Sequence, residues 1–262
     1  MQLDVFVTQY YMEHPSLKMG TTEQVNPVAL APKEVLLPPA PSNGVHETIN
    51  NPSPNLNNTP IALPVGQMVN TIPGNKKVVY LTFDDGPNEF TRQILNVLDQ
   101  YKIKGTFFWV GQNLHDKNLA QDLVREGHVI GTHTMQHTMM RNRSQQEQMR
   151  LIKESTDYVS KMTGSPIYYF RPPYGAVDGN TLAASSATGE ILISWSVDTK
   201  DWMYQNNHSV ILNNVRNEVT PGAIILMHER PQTTVYLPKV IKLLNSMGYE
   251  CLPLPAPKGK PV

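Results

Sequence analysis

Residues 78–87 read VVYLTFDDGP: an apolar, β-branched run, then two adjacent aspartates, then Gly-Pro. A run of that kind fits a buried strand, and Asp-Gly-Pro is turn chemistry that ends one. Two carboxylates side by side repel and raise each other's pKa, so their placement calls for a compensating partner. On local grounds alone a solvated turn accounts for Asp84 and Asp85. The rest of the chain has to supply the partner.

Outward from this stretch the same unit recurs. Strand-like runs appear at GTFFWV (105–110), HVIGTH (128–133), YYFRP (168–172), ILISWSV (191–197), AIILMH (223–228) and YECLPL (249–254). Most intervals hold a helix-like segment. In TRQILNVLDQYK, residues Ile94, Leu95, Leu98 and Tyr101 share one helical face. The longest helix is expected to start at a capping box, Ser144 with Glu147, and to stop at Gly164. Met149, Ile152, Thr156 and Val159 should form its buried stripe. Strand–helix alternation predicts parallel strands with crossover helices, and about seven strands suit a barrel better than an open sheet. Polar residues gather where strands end, the edge that carries the active site in such barrels.

Upstream the character differs. Half of the 22 prolines precede residue 76, and NGVHETINNPSPNLNNTP lacks any periodicity. Residues 1–75 therefore read as a Pro/Asn-rich extension and residues 76–262 as the domain that carries the strand–helix pattern. Short apolar pieces in the extension, LDVFV and VALAPKEVLLPP, are expected to pair with a sheet edge or to lie on the neighbouring domain.

Composition narrows the function. Of 262 residues, 40% are hydrophobic and 17% charged, with 22 basic and 22 acidic side chains. That balance offers no basic field for nucleic acid. No apolar run reaches the roughly 18 residues of a membrane span. The single cysteine, Cys251, excludes an intrachain disulfide and any cysteine-rich zinc module; it reads as a buried structural thiol. The N-terminus lacks a basic region followed by an apolar core. The expected location is extracellular or cell-wall associated, with a targeting segment outside this sequence; the cytoplasm is the other reading.

The partner for the aspartates is expected at HTMQH. His133 and His137, four residues apart on a helical turn, can grip one metal ion. Two imidazoles and one carboxylate leave coordination positions open, as in a catalytic metal site. One aspartate would then ligate the metal and the other stay free as a base. Arg171 in FRPPYG also sits at a strand end, available to the free aspartate or to a surface capping role. Asp198, Asp201 and Trp202 in SVDTKDW follow a strand, as a solvated turn also would. His228 ends AIILMH, where a satisfied rim histidine is the plainer reading. Five strand ends with proton-transfer or metal-binding groups make the sharper reading the better one.

In order, TFDDGP, HTMQH, RPPYG, DTKDW and IILMH resemble the five motifs of the polysaccharide deacetylases of carbohydrate esterase family 4, the NodB-homology domain. The resemblance spans about residues 76–254. It implies an α/β fold, a distorted (β/α)7-8 barrel, and metal-dependent removal of N-acetyl groups from sugar polymers. By position, Asp84 matches the general base, and Asp85, His133 and His137 match the metal ligands. Zinc is the first expectation, with cobalt or other divalent ions as alternatives. Arg171 matches the residue positioning the base, His228 the general acid, and Asp201 the carboxylate that orients it. Tyr174 matches a backbone oxyanion donor, and Trp202 and Leu226 match walls of the acetyl pocket. Glu229 stands where relatives often carry Asp, and no mechanistic weight attaches to it.

The expected substrate is a GlcNAc/MurNAc polysaccharide, bacterial peptidoglycan first, with chitooligosaccharide or acetylxylan as alternatives. The protein is expected to be a monomer. Two competing readings are an amidase for a small non-sugar amide and a glycan-binding protein without turnover. Trp109, Trp195, Trp202 and Tyr204 are available as sugar platforms, though Trp109 and Trp195 read better as core.

Overall fold

The strand decided by VVYLTFD forms as expected, and its neighbours arrange around it. A computed structural model of the chain describes residues 60–74 and 76–259. The strands are β1 (Met68–Val69), β2 (Val78–Asp84), β3 (Thr106–Trp109), β4 (Val129–Thr132), β5 (Tyr169–Phe170), β6 (Ile191–Ile193), β7 (Val197–Asp198), β8 (Ile224–His228) and β9 (Glu250–Leu252). Every pairing between them is parallel, in the order β1-β6-β5-β4-β3-β2-β8-β7, with β9 also on β2.

That order curls the sheet. β6 and β7 lie near opposite ends of the hydrogen-bonded path, yet only residues 194–196 separate them in sequence. Three residues reach about 10 Å, so the two ends must come together. The result is the distorted barrel expected from the alternation. It also explains why ILISWSV, read as one strand, is two: the chain leaves β5 and crosses to β8 there.

The helices are α1 (Thr91–Gln100), α2 (Lys117–Arg125), α3 (Gln145–Thr163), α4 (Gly179–Thr188), α5 (His208–Glu218) and α6 (Pro231–Ser246). In α3 the Ser144 side chain accepts from the Glu147 N–H, and Gly164 closes the helix at φ 72°. The second half of the capping box does not form, because the Glu147 carboxylate pairs with Arg143 instead. The buried stripe is also shifted: Gln148, Leu151, Ile152, Ser155, Val159 and Thr163 are buried, while Met149 and Thr156 are only half-buried.

Strand alternation sorts side chains into two layers. Leu81, Phe83, Phe107, Ile225 and Met227 pack with residues of α1 and α6, such as Ile94, Leu98, Leu237 and Leu244. The alternate residues Tyr80, Phe108, Tyr169, Ile191 and Ile224 form a second cluster. Asp84, Arg171 and His228 fall in the parity of this second layer, at its far end. Cys251 is buried in β9, and burial pushes its thiol up to about 12, consistent with a structural role.

Part of the expected extension packs on this body. β1 pairs with β6, Ile61 bridges Pro257, and the buried Ile72 donates its N–H to the Gly222 carbonyl. The pieces LDVFV and VALAPKEVLLPP lie outside the described residues. Among the described residues no helix is long and apolar enough to cross a membrane.

Candidate active site

Register alone begins the site. Asp84 of β2 is paired with His228 of β8, so a carboxylate and an imidazole sit side by side at two strand ends. Thr132 of β4 is paired with Phe170 of β5, which places His133 beside Arg171 one residue on.

Arg171 is fully buried, which would be costly without partners. Its Nη1 donates to Asp84 Oδ1 at 2.6 Å and to Thr82 Oγ1 at 2.9 Å. Nε and Nη2 donate to the carbonyls of Ile193 and Ser194, and the guanidinium carbon lies 4.1 Å from the Phe108 ring centroid. The surface capping role is thereby set aside. Asp84 is buried with one oxygen on Arg171, and its Oδ2 lies 3.8 Å from His133 Nε2.

Asp85 turns the other way, at φ 74°. Its Oδ1 lies 3.4 Å from His137 Nε2 and 3.8 Å from His133 Nε2. That oxygen is buried and has no hydrogen-bond partner. His133 Nδ1 is occupied by the Arg171 carbonyl at 2.6 Å, which leaves Nε2 to face the carboxylate. The ligand atoms of Asp85, His133 and His137 all lie within 4.8 Å of one another. An orphaned carboxylate oxygen between two imidazole nitrogens is the donor set of a divalent metal site, so these residues fit one. Burial and the neighbouring His133 lower His137 to about 4, keeping it neutral as ligation requires. Burial raises the Asp85 carboxyl, but His228, His133, His137 and Arg230 outweigh it and hold it low.

The two histidines do not sit on a helical turn, as the spacing suggested. Thr134 and His137 take left-handed backbone, φ 62° and 53°, and the Thr134 hydroxyl accepts from the Thr138 N–H. An irregular turn converges the rings, whose centroids are 4.8 Å apart.

Across the rim stands a second pair. His228 Nδ1 meets Asp201 Oδ1 at 2.7 Å, and the His228 N–H donates to Asp201 Oδ2 at 2.8 Å. Burial alone would depress this imidazole, yet Asp201, with Asp85 and Asp84 behind it, raises it to about 9. Asp201 is fully buried and is not a solvated turn residue. Asp198 takes the turn role, capping the Lys200 N–H.

Tyr174 is half exposed at φ 62°, its ring edge-on to His137 at 4.6 Å. Leu226 is buried two residues before His228, on the same strand face. Trp202 is half-buried in the turn after Asp201. Trp109 is core, as expected, and Trp195 is half-buried against the inner cluster.

Two residues gain weight that their sequence context did not give. Glu229 is buried, accepts from Trp109 Nε1 at 2.8 Å and from the Thr91 hydroxyl, and burial raises it to about 8. A Cβ on Gly86 would fall 1.8 Å from Glu229 Oε1, so the turn after the paired aspartates needs glycine for this close approach. Tyr236 of α6 donates its hydroxyl to Asp201 Oδ2 at 2.8 Å. Glu229 was visible only as a departure from Asp; Tyr236 had no sequence signal beyond helical spacing.

Comparison with known proteins bears on the family and the fold. The polysaccharide deacetylase family model matches residues 71–190. A peptidoglycan-N-acetylglucosamine deacetylase of Bacillus cereus is 37% identical over 191 residues, 70% of this chain and 69% of that protein. The peptidoglycan-N-acetylmuramic acid deacetylase PdaC of Bacillus subtilis is 33% identical over 184 residues, 69% of this chain and 38% of that one. A solved structure of a family 4 pseudoenzyme from Bacillus anthracis superposes with a TM-score of 0.67 at 28% identity, covering 72% of this chain and 68% of that one. With identity of this level over more than two thirds of a relative, and with the same fold, the chain belongs to the polysaccharide deacetylases of carbohydrate esterase family 4.

Proposed function

We propose that this protein is a metal-dependent N-deacetylase acting on a GlcNAc/MurNAc polysaccharide, bacterial peptidoglycan first, as a monomer at the cell wall. The carrying observation is the divided aspartate pair: Asp84 bound to buried Arg171, and Asp85 Oδ1 unpaired between two imidazoles. The named activities of the Bacillus relatives support the substrate class. Residues 76–262 are the catalytic domain in this reading, and the extension before them precedes it in the chain.

Asp85, His133 and His137 would hold the metal, zinc first. When bound, such an ion supplies a Lewis acid that polarises the amide carbonyl and makes water more acidic. The residues of the chain do the rest. Arg171 holds one oxygen of Asp84, so the other oxygen takes the proton from the attacking water. The backbone N–H of Tyr174 would donate to the developing oxyanion. Leu226 and Trp202 wall the acetyl methyl and exclude water. His228, charged at neutral pH and oriented by Asp201, donates its proton to the departing amine, leaving acetate and a free amino sugar.

One rival reading is glycan binding without turnover, since a structural neighbour of the same family is a pseudoenzyme. Acetate release from peptidoglycan, chitooligosaccharides and acetylxylan, read by mass spectrometry with and without chelator, separates the readings. Release from peptidoglycan that chelation abolishes supports the proposal; binding without release from any of the three overturns it.

A further inference from the structure

The five motifs supply the proton-transfer and candidate metal-binding residues at the ends of the strands, but nothing in α6. Helix α6 begins at Pro231, directly after the His228–Glu229–Arg230 strand end. Three side chains of its first two turns reach back to the acid pair. Gln232 Nε2 donates to the Asp201 carbonyl at 3.1 Å, and the Thr233 hydroxyl donates to the His228 carbonyl at 2.6 Å. The Tyr236 hydroxyl, one turn beyond Thr233 on the same face, donates to Asp201 Oδ2 at 2.8 Å. Tyr236 and Asp201 are both fully buried.

Consider what that carboxylate then holds. Oδ1 is used by the His228 ring, and Oδ2 by the His228 N–H and the Tyr236 O–H. Both bonds to His228 tie the carboxylate to the residue it must orient. Beyond the β8 main chain at His228, the tyrosine is, among the described residues, the side chain that ties the carboxylate to another element. A hydrogen bond to a charged group inside the fold is directional and stabilises the ionised form. It therefore fixes the rotation of Asp201 and keeps the shared proton on the imidazole.

We infer that Tyr236 is a positioning residue for the general acid: through Asp201 it sets the orientation of His228 and so the proton delivery to the leaving amine. The inference rests on the deacetylase reading for its kinetic arm, but not for its spectroscopic one. Its prediction is that removing one hydroxyl, which bonds Asp201 and none of the three candidate metal ligands, acts on turnover and not on metal or substrate binding.

The test is a double-mutant cycle of Y236F and D201N, each as the full chain loaded with zinc, on an acetylated chitooligosaccharide. Y236F should lower kcat roughly ten-fold, the loss of one hydrogen bond to a charged group. KM and the zinc Kd should stay within about two-fold of wild type, since neither site is touched. In the D201N background the same change should alter kcat less than about two-fold, because the residue acts through Asp201. Equal fold-losses in both backgrounds, or wild-type turnover in Y236F, overturn the inference.

A second measurement needs neither turnover nor a variant. In proton NMR of the wild-type protein, a slowly exchanging Tyr236 hydroxyl should appear close in space to the His228 Nδ1–H resonance. A hydroxyl that exchanges freely with water overturns the inference even if Y236F does not fold. Absence of acetate release by the wild type from peptidoglycan, chitooligosaccharide and acetylxylan alike, with both resonances present, would instead sink the deacetylase reading and leave the positioning intact.

Discussion

His137 and His228 stand on the same barrel rim, yet their environments drive them in opposite directions. Burial and the neighbouring imidazole lower His137 to about 4, whereas Asp201 raises His228 to about 9 against its burial. Their carboxylate neighbours differ in the same way. Asp85 keeps a buried oxygen without a partner, while every oxygen of Asp201 is taken. In the proposed reading the unpaired oxygen is the one left for the metal, and the fully paired carboxylate is the one that holds its histidine in place. Pairs of titratable groups pushed apart in this way are how one site holds ligand and acid at one pH.

The comparison breaks most visibly on the unpaired side. Replacing Asp85, His133 or His137 by Ala should abolish zinc retention in equilibrium dialysis and acetate release with it. Replacing Asp84 by Asn should leave zinc bound but lower acetate release by about 10²–10⁴-fold, the range of general-base catalysis. Retention of near-normal turnover in D84N would reverse the assignment of the two aspartates. Arg171→Met should strand Asp84 in the interior and lower unfolding free energy by about 3–5 kcal/mol in urea titrations.

The paired side should respond through pH. His228 carries a raised pKa because of its partner, so its acid form persists through neutrality and is lost as pH rises past about 9. Activity should follow that basic limb. D201N removes the partner while leaving the imidazole buried, so the limb should move to lower pH, toward or below the ordinary histidine value. A limb that stays near the wild-type position would show that Asp201 does not set the charge of His228.

The smallest effect belongs to Glu229. Its folded pKa of about 8 lies above its ordinary value, so the folded state holds the proton more tightly, and stability falls as pH rises between those values. E229Q keeps the size and an acceptor for Trp109. It should flatten the fall in Tm between pH 5 and 8, whereas E229A should lower Tm at every pH.

Much of this was legible in particular stretches. VVYLTFD, GTFFWV and AIILMH announce strands because apolar runs of strand length end in turn or polar residues. Ser144 and Gly164 fix the ends of α3 by local chemistry that no tertiary contact has to supply. Other stretches misled for an equally physical reason. ILISWSV has uniform strand propensity, but the barrel's closure divides it into β6 and β7. HTMQH has helical spacing, but converging two rings on one carboxylate took left-handed backbone at Thr134 and His137.

The sequence by itself determined the alternating architecture, the strand ends at which chemistry gathers and, through five ordered motifs, the family. Those are properties of periodicity and short-range spacing. Only the tertiary structure decided how each charge is balanced: Asp84 against Arg171, Asp85 facing two imidazoles, and Asp201 held by a tyrosine from a helix outside every motif. Such partners lie many residues apart in the chain, and the energy of a buried charge depends on who stands beside it in space.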